Sequence, residues 1–356
     1  MNPDTFDIAY STIIPTSNHP ELLTRCLLAL CKVNPPAKEW EVLVIDNSEE
    51  RFKTANAQVV ASFQESRFRY VTMPPLGLMA ARHKGVEMAR GHIVSFIDDD
   101  SFVSETWLEG IEQSFLDPNI VMVGGPNLPE YEITQPRWLD YFWNYNEYGR
   151  YMGYLSLLDF GDTMRDIDPT FVWGCNFSIR KDIFQRVGGS HPDYLPPQWK
   201  CFQGDGEVAL SVKVASLGCK ARYCPQCVIR HLVPESRMTF EYFGARAFFV
   251  GLHSSFTQIR RKHGLGTAQG VPLLPGSTQN SFYRLLRRWG GRVKRRFLLP
   301  SSFFHREPED VIRIRRHLQK CYADGWNFHQ REVNSNPALL EYVLRPNYMG
   351  ENARLP

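Results

Sequence analysis

Along the first 130 positions, apolar residues come in short solid runs separated by longer stretches with one apolar face. The runs are Ile8–Ile14, Glu41–Ile45, Phe68–Val71, His92–Ile97 and Ile120–Val123. They are brief and rich in β-branched and aromatic residues, which predicts buried strands rather than helices. Pro15 ends the first of them. The intervening stretches Leu22–Leu30, Phe52–Phe63, Leu78–Ala89 and Glu105–Phe115 carry apolar residues at helical spacing. Strand and helix thus alternate with short connections. That rhythm predicts an α/β domain whose mostly parallel sheet is covered by helices on both faces.

The pattern changes after residue 126. Trp138, Tyr141, Phe142, Trp143, Tyr145, Tyr148, Tyr151 and Tyr154 crowd a polar segment that reads either as a sugar-binding surface or as a packed lid. Val172–Ile179 then reads as a strand and Arg180–Val187 as a helix closed by Gly188-Gly189. A helix is expected from Gly204-Asp205-Gly206-Glu207, a strand at Val228–Ile229, and an amphipathic helix over Met238–Phe249. The expected division is a main domain over 1–264, a linker rich in Gly, Pro, Ser and Gln over 265–280, and a basic, mostly helical extension over 281–356.

Composition narrows the class. With 43% hydrophobic and 22% charged residues the chain is globular, and a net charge of +3 gives no case for nucleic acid. No basic leader followed by an apolar run opens the sequence, and no run of about 18 uncharged apolar residues occurs. Eight scattered cysteines fit reduced thiols. A cytoplasmic location is therefore expected. Cys224-Pro-Gln-Cys227 with Cys219 and His231 can be drawn as a zinc site, but a lone CxxC reads better as core or turn.

Candidate chemistry sits where the predicted strands end. Asp98-Asp99-Asp100 directly follows the run ending at Ile97, Asp46 follows Ile45, and Pro15-Thr16 closes the first strand. Ligands of such sheets gather at these carboxyl ends. Three adjacent carboxylates repel one another unless a cation or hydrogen-bond donors offset them, and hard oxygen ligands suit Mg²⁺ or Mn²⁺. No G-x-G-x-x-G follows the first strand and no G-x-x-x-x-G-K-[ST] occurs, which disfavours dinucleotide and P-loop enzymes.

Six segments in order resemble a family-2 glycosyltransferase with the GT-A fold. They are Ile13-Ile14-Pro15-Thr16, Val44-Ile45-Asp46-Asn47-Ser48, Gly77–Arg82, Phe96–Asp100, Trp173–Arg180 and Gly204–Glu207, with His231 beyond them. The resemblance spans roughly residues 7–255. It implies a nucleotide-sugar donor, with UDP favoured, whose leaving diphosphate needs a divalent ion and cationic or N–H donors. By that resemblance Asp100, Asp98 and His231 hold Mn²⁺ or Mg²⁺, and Arg237 clamps phosphate. Pro15, Thr16, Asp46, Arg82, Asp98 and Asp99 line the nucleotide, with Asp46 on the base. Trp173 and Asn176 border the acceptor, a glycan or lipid-linked hydroxyl compound.

The acceptor hydroxyl must lose a proton as the new bond forms. The family places the base in a Glu-Asp-x-x-Leu pattern. Alignment on Leu210 leaves Gly206 where the first acid usually stands, so the base is Glu207 or Asp205. A single base implies one displacement with inversion. Basic residues interleaved with apolar ones over 284–298 are expected either to lie on an anionic membrane face or to pack on the main domain. A nucleotidyltransferase of similar fold and a non-catalytic glycan- or partner-binding module are the alternatives.

Overall fold

The computed structural model describes residues 8–265 and 307–350. Its frame is an eight-stranded sheet in the order β11-β13-β6-β12-β4-β1-β2-β3. These strands are β1 (Tyr10–Thr16), β2 (Trp40–Asp46), β3 (Phe68–Thr72), β4 (Ile93–Ile97), β6 (Ile120–Gly124), β11 (Arg165–Ile167), β12 (Asn176–Arg180) and β13 (Lys220–Tyr223). β1, β2, β3 and β4 run parallel, as do β6 and β13, while β12 runs antiparallel between β4 and β6.

Both faces of the sheet are buried, which is why its strands read as unbroken apolar runs. Ile14, Val42 and Val44 pack on one side with Leu23 and Leu27 of α1 (Pro20–Leu30) and Trp107 of α4 (Trp107–Phe115). Ile13, Leu43 and Ile45 pack on the other with Ala81 and Val86 of α3 (Leu78–Met88), and with Phe184 of α5 (Lys181–Arg186) and Leu210 of α6 (Gly206–Ser216). Helix α2 (Glu50–Ser62) follows β2.

Two expected boundaries move. Strand β1 runs through Pro15 to Thr16, because its pairing with β4 stops at Ile13 and a proline is tolerated beyond that point. The strand expected from Val172 begins only at Asn176, after a 3₁₀ turn over Pro169–Phe171.

A second, six-stranded sheet was not foreseen from the sequence. It orders β5 (Ser101–Val103), β14 (Ile229–Val233), β7 (Asn127–Tyr131), β10 (Leu157–Asp159), β9 (Arg150–Met152) and β8 (Asn144–Tyr145). It absorbs much of the aromatic segment. Phe142, Leu155 and Leu157 are buried against Phe243 of α7 (Phe240–Lys262) and Ile314 of α8 (Glu309–Ser335), and Trp138 packs on the same cluster. Helices α7 and α8 cross at backbone contact. A Cβ on Gly251 would stand 2.0 Å from the Tyr322 carbonyl oxygen, and one on Gly325 1.9 Å from that of Phe248.

Residues 307–350 are thus built onto the main domain rather than set apart from it. Helix α9 (Pro337–Val343) and the segment after it close the back of the site, where Arg260 donates to the carbonyls of Val343 and Arg345. The basic stretch 284–298, like most of the expected linker, lies outside the described residues. Among the described residues no helix is long and apolar enough to cross a membrane.

Candidate active site

Parallel register brings the ends of β1, β2 and β4 to one edge, and each aspartate of the triplet turns to a different partner there. Asp98 Oδ1 accepts from Arg82 Nη2 at 2.7 Å. Asp99 Oδ2 accepts from the Thr16 hydroxyl at 2.7 Å, and the Ser17 amide also bonds this carboxylate. Burial and then the charge of Asp100 push Asp99 up to about 8. Asp100 Oδ2 accepts from Arg237 Nη2 at 2.9 Å, while its Oδ1 lies 3.5 Å from His231 Nε2. Burial alone would raise Asp100, but His231 and then Arg237 hold it below the usual carboxylate range.

The second sheet creates the Asp100–His231 meeting. β14 pairs antiparallel with β5 so that His231 stands opposite Ser101, one residue from Asp100. His231 Nδ1 lies 3.0 Å from the Leu155 carbonyl, to which it donates. That leaves Nε2 facing Asp100, with Arg237 Nη1 3.3 Å away. The short 3₁₀ turn Glu235–Arg237 after Pro234 folds Arg237 back onto the pair. Asp100 Oδ1 is buried with no hydrogen-bond partner. An orphaned carboxylate oxygen beside a histidine nitrogen fixed by a backbone carbonyl is a donor set that fits a divalent cation. Among the described residues no three Cys, His, Asp or Glu side chains converge into a complete cage, so further ligands have to come from substrate or water.

Arg82 ties this edge to the start of α6. Its guanidinium is buried, donates to Asp98 and to the Gly174 carbonyl, and lies 3.8 Å from Glu207 Oε2. Gly174 makes room for it, since a Cβ there would stand 2.4 Å from Arg82 Nη1. Glu207 remains partly open to solvent in the first turn of α6.

Three expected site residues are placed elsewhere. Asp205, the alternative base, is buried; it bonds His191 Nδ1 at 2.6 Å and the Thr257 hydroxyl. Burial would raise its pKa, but His191 and Thr257 hold it well below the usual carboxylate range. Asp46 is enclosed: the Ser48 amide, Asn56 Nδ2 and the Tyr70 hydroxyl already occupy its oxygens. Those bonds tie it into the loop after β2. Asn176 is buried too, accepting from Trp107 Nε1 at 3.0 Å and donating to the Cys227 carbonyl at 2.7 Å. Trp173 stays half-buried, with its indole donating to the Thr170 carbonyl. Pro15 lies in β1 beside Thr16.

The zinc drawing does not assemble either. Cys224 and Cys227 pack together against Gly110 of α4, while His231 is engaged with Leu155 and Asp100. Sequence reasoning missed the loop between α5 and α6, which carries His191, Asp193 and Tyr194, and also Arg246 on α7. Prolines at 192, 196 and 197 mark that stretch as irregular without saying where it folds.

Comparison with known proteins identifies the family. The model of the family described as "Glycosyl transferase family 2" matches residues 11–188. The glucosyl-dolichyl phosphate glucuronosyltransferase of Haloferax volcanii is 26% identical over 223 residues, covering 59% of this chain and 64% of that protein. Glycosyltransferase AglE of the same organism is 26% identical over 185 residues, 52% of this chain and 56% of its own length. The chain therefore spans less than two thirds of the length of either relative. The succinoglycan biosynthesis protein ExoM of Rhizobium meliloti is 23% identical over 259 residues, 72% of this chain and 78% of that one. In fold the chain is similar to a mannosyltransferase from Pyrobaculum calidifontis solved with GDP-Man and Mn²⁺. The TM-score is 0.51 at 18% identity, over 72% of this chain and 65% of that one. With the family model matching half of its length, the chain belongs to glycosyl transferase family 2.

Proposed function

We propose that the protein moves a sugar from a nucleoside-diphosphate donor to a hydroxyl of a glycan or lipid-linked acceptor, by one displacement with inversion. The observation that carries this reading is Arg82, whose single guanidinium touches both Asp98 and Glu207. Arg82 thereby ties the base at the start of α6 to the strand end that carries the acidic triplet. Asp100 and His231 are the residues that would hold Mn²⁺ or Mg²⁺, which would supply charge stabilisation for the departing diphosphate. Arg237, held on Asp100, adds a fixed positive charge on the same side. Thr16 orients Asp99 beside the donor, and Glu207 takes the proton of the attacking hydroxyl.

A metal-bearing neighbour and a relative named for a dolichyl-phosphate-linked glucose support a divalent cation and a lipid-linked acceptor. The expected uridine preference rested on Asp46. With that carboxylate enclosed, the proposed donor is a nucleoside-diphosphate sugar of either base. A cytoplasmic location with peripheral membrane contact through 284–298 belongs to the same proposal. Anionic liposome flotation with and without that stretch tests it, and equal binding would remove it.

The catalytic test is release of nucleoside diphosphate from a panel of UDP- and GDP-sugars with Mn²⁺, Mg²⁺ or EDTA. Turnover that requires the metal and disappears in Asp100→Ala supports the reading. Equal rates in wild type and variant would overturn the metal role.

A further inference from the structure

The loop between α5 and α6 is cinched onto the cleft. His191 N–H donates to the Gly206 carbonyl at 3.1 Å and Gly204 N–H to the Pro192 carbonyl at 2.7 Å. Tyr194 N–H donates to Asp193 Oδ1 at 2.8 Å and to Gln203 Oε1 at 3.1 Å. At the tip Tyr194 adopts φ +49°, a left-handed conformation that a bulky side chain rarely accepts. Burial does not compensate, because the residue is 51% exposed. Among the described residues the other non-glycines with positive φ are Asn18, Gln64 and Ser156, so Tyr194 alone presents a ring from such a turn. Strained residues of this kind collect where a ligand needs a side chain aimed in one direction.

Its surroundings locate that direction. The Tyr194 carbonyl oxygen stands 2.7 Å from where a Cβ on Gly77 would be, at the start of the helix that carries Arg82. The ring is gripped from behind by Arg246, which donates to the phenol oxygen and holds its guanidinium carbon 5.6 Å from the ring centroid. Tyr194, Tyr242, Asp193 and Glu207 all act electrostatically on that guanidinium, so ring, loop and base share one neighbourhood.

Asp193 fills a second role there. Its Oδ1 takes the Tyr194 amide and lies 3.2 Å from His253 Nε2. Its Oδ2 accepts from no protein donor among the described residues, and it lies 2.8 Å from where a Cβ on Gly206 would be. Position 206 is where the family pattern carries its first acid. The Asp193 carboxylate therefore stands next to the residue that precedes Glu207.

We infer that Tyr194 and Asp193 form the acceptor subsite and that its ligand is a hexopyranoside. One C–H face of the sugar lies on the Tyr194 ring, one hydroxyl donates to Asp193 Oδ2, and another is presented to Glu207. This rests on the glycosyl-transfer reading above. An aromatic face with a few fixed polar groups is the usual build of a small-molecule site.

The test uses the whole chain with octyl glycosides of glucose, galactose and mannose as acceptor probes. Asn tolerates left-handed backbone better than Tyr, so Tyr194→Asn relieves the turn while removing the ring. The expected result is a glycoside KM raised by about tenfold or more, a donor KM within about twofold, and a thermal midpoint that does not fall. Tyr194→Phe, which keeps the face, stays within about threefold of wild type, and Asp193→Asn raises the glycoside KM like Tyr194→Asn. A glycoside KM unchanged in both Tyr194→Asn and Asp193→Asn, or one that rises together with the donor KM, overturns the subsite.

Saturation-transfer NMR with the same glycosides needs no turnover. Signal in wild type and its loss in Tyr194→Asn supports the subsite even if no donor is consumed, in which case only the transferase reading fails. No signal from any glycoside overturns the sugar class.

Discussion

The exits of β2 and β4 lie on the same edge of one sheet, and both end in aspartate, yet they are finished in opposite ways. At the end of β2, Asp46 is enclosed by three donors, one each from its own loop, α2 and β3. On the cleft floor, Asp100 keeps one buried oxygen without any donor. The same contrast recurs further along the chain. Asp205 is locked onto His191 and Thr257, while Glu207, two residues on, stays partly open beside Arg82. His83 has both ring nitrogens bonded to backbone, whereas His231 leaves Nε2 facing Asp100. Chemical type does not separate framework from site here. The supply of partners does, and buried polar groups left short of partners are costly enough to call for an explanation.

If that contrast holds, substitutions in the two regions should fail in opposite ways. The largest effect is expected from Asp100→Ala, which should lower metal-dependent turnover by about a thousandfold, roughly 4 kcal/mol of barrier. Its urea midpoint should fall less than that of Asp205→Ala, since Arg237 loses a partner but the repulsion on Asp99 is relieved. Glu207→Gln should cost about a hundredfold or more in kcat with stability unchanged, because only proton removal is lost. The counterpart Asp205→Ala should unfold more easily, as His191 and Thr257 lose their shared partner. Steady-state rates and denaturation curves on the same preparations read both. A stable, inactive Asp205→Ala would reverse the roles of the two acids.

Asp46→Ala comes next. It strands the Ser48 amide, while Asn56 Nδ2 and the Tyr70 hydroxyl fall back on Ser48 Oγ and the Lys53 carbonyl, for about 1–2 kcal/mol of stability. Any loss of activity should follow the loss of folded protein. A fully folded Asp46→Ala with a weakened donor KM would place this carboxylate back on the nucleotide.

How legible each region was follows from the range of the interactions that build it. The first half of the sheet was readable because strands buried on both faces leave solid apolar runs, and an aspartate after such a run lies at a strand end whatever else happens. Thr16, Arg82 and the triplet therefore came out near one another. Whether an aspartate there is enclosed or open depends on Asn56 and Tyr70, 10 and 24 residues away, and no local pattern states that pairing. The second sheet was hidden because β8, β9 and β10 are two or three residues long and their aromatic residues read equally as lid or core. Tyr194 was invisible for a different reason: a left-handed tyrosine has no signature in composition or periodicity.

The smallest effect concerns the seam that joins the two regions. His83, next to Arg82 on α3, donates through Nδ1 to the Tyr348 carbonyl and accepts the Ser190 amide at Nε2. It thus pins the C-terminal segment and the loop between α5 and α6 to α3. Burial lowers its pKa from 6.5 to about 4, and a proton on Nε2 would also confront the Ser190 N–H. The unfolded chain therefore binds a proton between about pH 6.5 and 4 that the folded chain refuses, so stability falls as pH drops through that window. Between pH 7.5 and 5 this one ring should account for about 2 kcal/mol. Urea titrations of wild type and His83→Gln at the two pH values isolate it: the variant should be less stable at pH 7.5 but lose less on acidification. Parallel losses in the two proteins would mean that the proton is taken up elsewhere. The seam would then be held by the Arg260 bonds to Val343 and Arg345, with His83 contributing little.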